Sequence, residues 1–119
     1  MNVEQKSLIT KHLVKNFDIG VNNNLYGGRM LDWLDEAGAL FVREQYPNKQ
    51  FVTLKISETI FHKPVHCNDI ISFYITEYKV GNTSITIKIE VHRNNQIMVT
   101  TDMVYVSIDQ NGNKVSIND

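Results

Sequence analysis

Between residues 83 and 92 the chain alternates cleanly, with Ile85, Ile87, Ile89 and Val91 set against Thr86, Lys88, Glu90 and His92. A two-residue period of this kind predicts a half-buried strand. Phe51 to His62 opens the same way, with Val52, Leu54 and Ile56 opposite Thr53, Lys55 and Ser57, until Lys63-Pro64 breaks it. Asp69 to Val80 is rich in Ile, Phe and Tyr and ends at a Gly81-Asn82 turn, while Asn94-Asn95 leads into Gln96 to Ile108. Asn111-Gly112 is a further hairpin signal and predicts a short last strand. At the other end Ser7 to Lys15 reads as a strand, and Phe17 to Leu25 as an Asn-rich loop.

One segment has a different period. From Gly28 to about Gln45, Met30, Leu31, Leu34, Ala37, Gly38, Phe41 and Val42 fall on one arc of a helical wheel. Asp32, Glu36 and Arg43 lie on the opposite arc, and the pattern stops before Pro47, as a helix should. One helix followed by a run of strands, five to six in all, predicts an α+β fold in one domain spanning residues 1–119. A single helix covers such a sheet only if the sheet curls around it. The strands carry apolar residues on more than one face, so an oligomer is expected.

Asp35 belongs to neither arc: it sits beside Gly38 and Val42, at the edge of the apolar stripe. It is either the first solvent-facing residue next to the core or a partly desolvated base. Gly27 and Gly28 add a second feature, because they precede the helix where backbone N–H groups lack partners and the dipole is positive. Such an end binds anions or a developing oxyanion. Asp35 lies two turns beyond Gly28, about 10 Å along the axis, far for two groups serving one small substrate. A site shared between two chains would remove that difficulty. Arg29 is unfavourable in a first helical turn, so a phosphate or a carboxylate of a second chain is expected beside it.

The 119-residue chain has a formal net charge of −1 and no two adjacent Lys or Arg, which leaves no electrostatic footprint for nucleic acid. No apolar stretch approaches the roughly 18 residues of a membrane span. The opening MNVEQKSLITKH has no apolar segment of the signal-peptide type, and Cys67 stands alone; together they predict a reducing, cytoplasmic setting. His12, His62, His66 and His92 show no metal-ligand spacing, so neither a metal nor another cofactor is expected.

Leu25-Tyr26-Gly27-Gly28-Arg29-Met30-Leu31, followed by Trp33, Asp35 and Ala37-Gly38-Ala39, resembles the signature of hotdog-fold acyl-CoA thioesterases of the bacterial YciA type and their eukaryotic acyl-CoA hydrolase relatives. Phe61-His62-Lys63-Pro64-Val65 and Val80-Gly81-Asn82-Thr83-Ser84-Ile85 are similar to two further segments of that family, in the same order. The resemblance implies a long helix wrapped by a curved antiparallel sheet, in dimers that share active sites and assemble into tetramers or hexamers. It also implies hydrolysis of acyl-CoA to free acid and CoA, with Asp35 as general base or nucleophile and the N–H groups near Gly27 and Gly28 holding the thioester oxygen. Lys63, Thr83 and Ser84 are the expected contacts for the CoA part of the substrate. Two positions depart from the family: Gly20 stands where it usually has an Asn, and Ser57 where it often has an Asp. Asn22 or Asn23 is the expected replacement for the first. A hotdog dehydratase is disfavoured, since no His lies between Asn16 and Phe61. The alternative from another class is a non-catalytic acyl-CoA-binding protein, a sensor or carrier.

Overall fold

The computed structural model describes residues 6–118. In chain order it contains β1 (Ser7–Leu13), two 3-10 turns (Asn16–Asp18 and Val21–Asn23), α1 (Gly27–Gln45), β2 (Gln50–Phe61), β3 (Ile70–Val80), β4 (Ser84–Arg93) and β5 (Gln96–Ile108). The five strands form one antiparallel sheet in the order β1-β3-β4-β5-β2. The sheet curves round α1, the arrangement that the resemblance implies.

The period-two stripe of β4 forms the floor of the core: Ile85, Ile87, Ile89 and Val91 are all buried. Burying a side chain of this size contributes about 1.5–3 kcal/mol relative to leaving it in water. Against them pack Met30, Leu34, Ala37, Phe41 and Val42 of α1, the arc the wheel predicts; Leu31, at the rim of that arc, is 38% exposed instead. At the β1 side, His12 stacks on Trp33 with ring centroids 4.3 Å apart and an interplanar angle of 9°.

Most boundaries fall within one residue of expectation, and the two larger differences have a visible reason. The predicted last strand is reduced to a single bridge between Ile108 and Lys114. There Asp109 Oδ1 accepts the N–H groups of Asn111 (2.8 Å) and Asn113 (2.9 Å), donors that a strand would have used in a ladder. β1 ends at Leu13 because the Val14 carbonyl accepts the N–H of Asn68, which has a φ of 76°, at 2.8 Å, one residue out of the β1–β3 register. The helix starts at Gly27, one residue earlier than predicted.

The loop before α1 is tied down by Asp18, which is only 3% exposed. Its carboxylate accepts the Lys15 N–H at 2.9 Å and pairs with Arg29 Nε at 3.1 Å, while its carbonyl accepts the Tyr26 N–H at 2.9 Å. Arg29 therefore answers a buried carboxylate of its own chain rather than the phosphate or second-chain partner expected. The local conflict with the helix dipole is outweighed by neutralising a charge that burial would otherwise make costly.

Gly38 sits where the helix comes closest to the sheet. A Cβ there would lie 2.8 Å from Cε1 and Cζ of Tyr105, a β5 residue that is 1% exposed, and would collide with its hydroxyl. Gly38→Ala gains about 1 kcal/mol of helix propensity but overpacks a filled core, typically at 1–3 kcal/mol. The expected outcome is a lower urea midpoint at unchanged slope, a net loss of about 1 kcal/mol. Arg29→Ala strands the Asp18 carboxylate, and a drop of about 1–3 kcal/mol is expected in the same measurement; an unchanged midpoint would show that the pair does not hold the loop.

Candidate active site

Asp35 emerges from α1 half-buried, at the edge of the core, and is held from two strands. Thr53 Oγ1 in β2 donates to Asp35 Oδ1 at 2.7 Å. Tyr105 OH in β5 faces the same Oδ1 at 2.9 Å and the Asp35 backbone carbonyl, also at 2.9 Å. Thr53 and Tyr105 are themselves paired across the sheet, so the two donors come as a unit. Asp35 Oδ2 has no hydrogen-bond partner among the described residues. Burial, followed by the Asp35 charge and the hydrogen bond to it, holds the Tyr105 phenol well above the usual tyrosine range. It is thus a proton donor in a hydrogen bond at any working pH and never a phenolate.

A second group of residues surrounds the start of α1. Asn24, Leu25, Gly27, Met30, Phe61, His62, Lys63, Pro64 and Val65 line an open cleft of about 500 Å³. The first helical amides to find acceptors are those of Arg29 and Met30, which both reach the Tyr26 carbonyl, at 3.0 and 3.1 Å. The N–H groups of Gly27 and Gly28 have no acceptor among the described residues. The two glycines differ in why they are bare. A Cβ on Gly28 would lie 2.7 Å from the Tyr26 ring, whereas one on Gly27 would meet only Phe61, at 3.9 Å. Gly28 lies under the ring of the chain's own aromatic N-cap residue, and Gly27 opens to the cleft.

The remaining predicted residues fall elsewhere. Asn22 and Asn23 adopt φ of 59° and 60°, the left-handed region that Asn tolerates, and are exposed in the turn rather than in the cleft. Asn24, next to them, is the one that lines it. Thr83 and Ser84 precede and open β4 at the Gly81 turn, with the Thr83 carbonyl accepting Ser107 N–H at 2.8 Å. That places Ser84 one residue and Thr83 two residues from Ile85, the β4 partner of Tyr105. Lys63 is in the cleft, and His62 Nε2 beside it lies 2.8 Å from Thr100 Oγ1. Asp32 is exposed on the polar face, as the wheel predicts. Among the described residues no cluster of His, Cys, Asp or Glu is dense enough to hold a metal ion, and no helix is long and apolar enough to cross a membrane.

Thr53 and Tyr105 escaped the sequence reading. Tyr105 is 70 positions from Asp35, beyond any local period. Its one signal is chemical: a tyrosine in a strand's buried register requires a partner for its hydroxyl.

Comparison with known proteins adds to this geometry. The thioesterase superfamily model matches residues 22–100. An uncharacterized acyl-CoA thioester hydrolase of Buchnera aphidicola subsp. Schizaphis graminum is 34% identical over 73% of this chain and 64% of its own length. The acyl-CoA thioester hydrolase YciA of Escherichia coli K12 is 30% identical over 76% of this chain and 67% of its own length. The chain thus spans about two thirds of these relatives. Among solved structures, a hexameric hotdog-fold thioesterase of Campylobacter jejuni superposes with a TM-score of 0.80 at 30% identity, covering 93% of this chain and 91% of that one. The helix-and-sheet architecture and the matched span together show that this chain is a hotdog-fold protein belonging to the thioesterase superfamily.

Proposed function

We propose that this protein is an acyl-CoA thioesterase, converting acyl-CoA and water to a free carboxylic acid and CoA. The observation that carries the reading is the Asp35 carboxylate, half-buried, fixed through one oxygen by Thr53 and Tyr105 and with the other oxygen free. A carboxylate so held is oriented for proton abstraction rather than for stability. As general base it would take a proton from water as the water oxygen attacks the thioester carbonyl, and return it to the departing thiolate. As nucleophile it would break the thioester by displacing the CoA thiolate, giving an anhydride that water then opens to the free acid and the restored carboxylate, with the proton released passing to the thiolate. The unpartnered amides of Gly27 and Gly28 would hold the developing oxyanion. The names of the relatives agree with this substrate class.

Asp35 does not line the cleft at the start of its own helix, which supports a site completed by a second copy. β2 is an edge strand whose Val52, Leu54 and Ile56 are 45%, 56% and 40% exposed, an apolar ribbon suited to pairing with another β2. The proposed assembly is a homodimer, built up further to a tetramer or hexamer; the Campylobacter jejuni neighbour is hexameric. Lys63 would meet CoA phosphates at the cleft, and Thr83 with Ser84 the CoA portion near the carboxylate. Asn22 and Asn23 are exposed enough to reach a bound carbonyl or water from the loop, although Asn24 is better placed. A cytoplasmic setting fits a CoA ester as substrate.

The second reading is a non-catalytic acyl-CoA binder, favoured by Gly20 at the position where the family usually has an Asn. A panel of acetyl- to palmitoyl-CoA, followed by free-thiol release, separates the two. The expected outcome is turnover by the wild type and a fall of about 100-fold or more in Asp35→Ala. Binding without hydrolysis in both proteins would put the binder in its place. Leu54→Lys should convert the assembly to smaller species in sedimentation, through a charge placed in the apolar ribbon; unchanged sedimentation would exclude β2 pairing.

A further inference from the structure

Two side-chain donors converge on one oxygen of Asp35. Both donors, Thr53 at 2.7 Å and Tyr105 at 2.9 Å, address Oδ1. The Tyr105 hydroxyl also faces the Asp35 backbone carbonyl at 2.9 Å, so its single proton is shared between the side chain and main chain of the same residue. Its approach is possible only because Gly38, on the adjoining helical turn, lacks a Cβ. The hydroxyl therefore fixes the carboxylate relative to the helix backbone and not merely relative to the sheet.

We propose that Tyr105 is a positioning residue for the hydrolytic reaction, anchoring Asp35 Oδ1 through the gap at Gly38 and leaving Oδ2 as the oxygen that meets water or the thioester. Tyr105 touches no substrate in this scheme; it acts through Asp35, and so the inference rests on Asp35 being the catalytic carboxylate. Removing the Tyr105 donor frees the carboxylate to rotate out of the productive orientation. Thr53, exposed on β2, supplies a second donor but no link to the main chain of Asp35, so it does not replace what Tyr105 does.

The test is Tyr105→Phe in the intact protein, with kcat and KM measured on the best substrate of the acyl-CoA panel. The expected result is a fall of about tenfold in kcat with little change in KM. A double-mutant cycle with Asp35→Asn supplies the discriminating reading: with the carboxylate gone, Tyr105→Phe should cost nothing further in residual turnover. If Tyr105→Phe leaves kcat in place, or if its effect persists in full beside Asp35→Asn, the positioning role is overturned while the base assignment stands. If Asp35→Asn alone keeps wild-type turnover, the base assignment falls, and the positioning role with it. Should Tyr105→Phe fail to fold, 3-fluoro- and 3,5-difluorotyrosine at position 105 keep ring and hydroxyl while strengthening the donor in steps. The kcat should then change with donor strength, and a kcat that stays flat across the series overturns the proposal.

Discussion

The contact between the Tyr105 hydroxyl and Asp35, made through the space that Gly38 leaves open, is the constraint on which the rest of the arrangement depends. It sets how closely α1 lies on β5, because any side chain at Gly38 would push the helix off the sheet. It also fixes the phase of the helix. With Gly38 facing Tyr105, the apolar arc from Met30 to Val42 must face the β4 stripe, and Asp35 must come out at the rim. A buried tyrosine needs a partner for its hydroxyl, and a half-buried carboxylate needs donors. Each of the two groups supplies what burial has taken from the other, so neither is a penalty standing alone.

At the other end of the helix the same logic runs with a different pair. Asp18 and Arg29 join the pre-helix loop to the first turn, and Tyr26 packs its ring over bare Gly28. With Tyr26 as N-cap and no side-chain cap, the Gly27 and Gly28 amides stay without acceptors among the described residues, and Gly27 lines the cleft. A conventional cap by Ser, Thr or Asp would have satisfied one of them internally and typically added about 1 kcal/mol to stability. The sequence places an aromatic residue there instead, and the positive end of the helix is left open to whatever enters the cleft.

The regular elements were legible because their signals are local. The alternation of Ile85, Ile87, Ile89 and Val91 names the buried face of β4 outright, and the wheel separates Met30 and Leu34 from Asp32 and Glu36. Asp35 at the rim and Gly27 at an open helix end followed from the same periodicity. What periodicity misses is the long-range partner. Thr53 reads as the polar side of an alternating strand, Tyr105 as one more aromatic in a β-rich run, and Arg29 as a charge at odds with the dipole until Asp18 folds back beside it. The Asn cluster is legible only in part: Asn22 and Asn23 take φ near +60°, which Asn tolerates, and the Asn that lines the cleft is Asn24.

The two halves of the proposed chemistry lie on one helix, yet that helix keeps them apart. Eight residues of α-helix separate Gly27 from Asp35 by about 12 Å along the axis, more than a thioester carbonyl and an attacking water can bridge. α1 runs unbroken through both residues, so no bend shortens that distance. The oxyanion end and the carboxylate can therefore serve one carbonyl only if they come from different copies. The free edge of β2 offers the means: it carries Thr53, which contacts Asp35, at one end and Phe61, which borders the cleft, at the other. Antiparallel pairing of that strand with its own copy would set the Thr53 end of one protomer beside the Phe61 end of the next, and so the carboxylate of one beside the open helix end of the other.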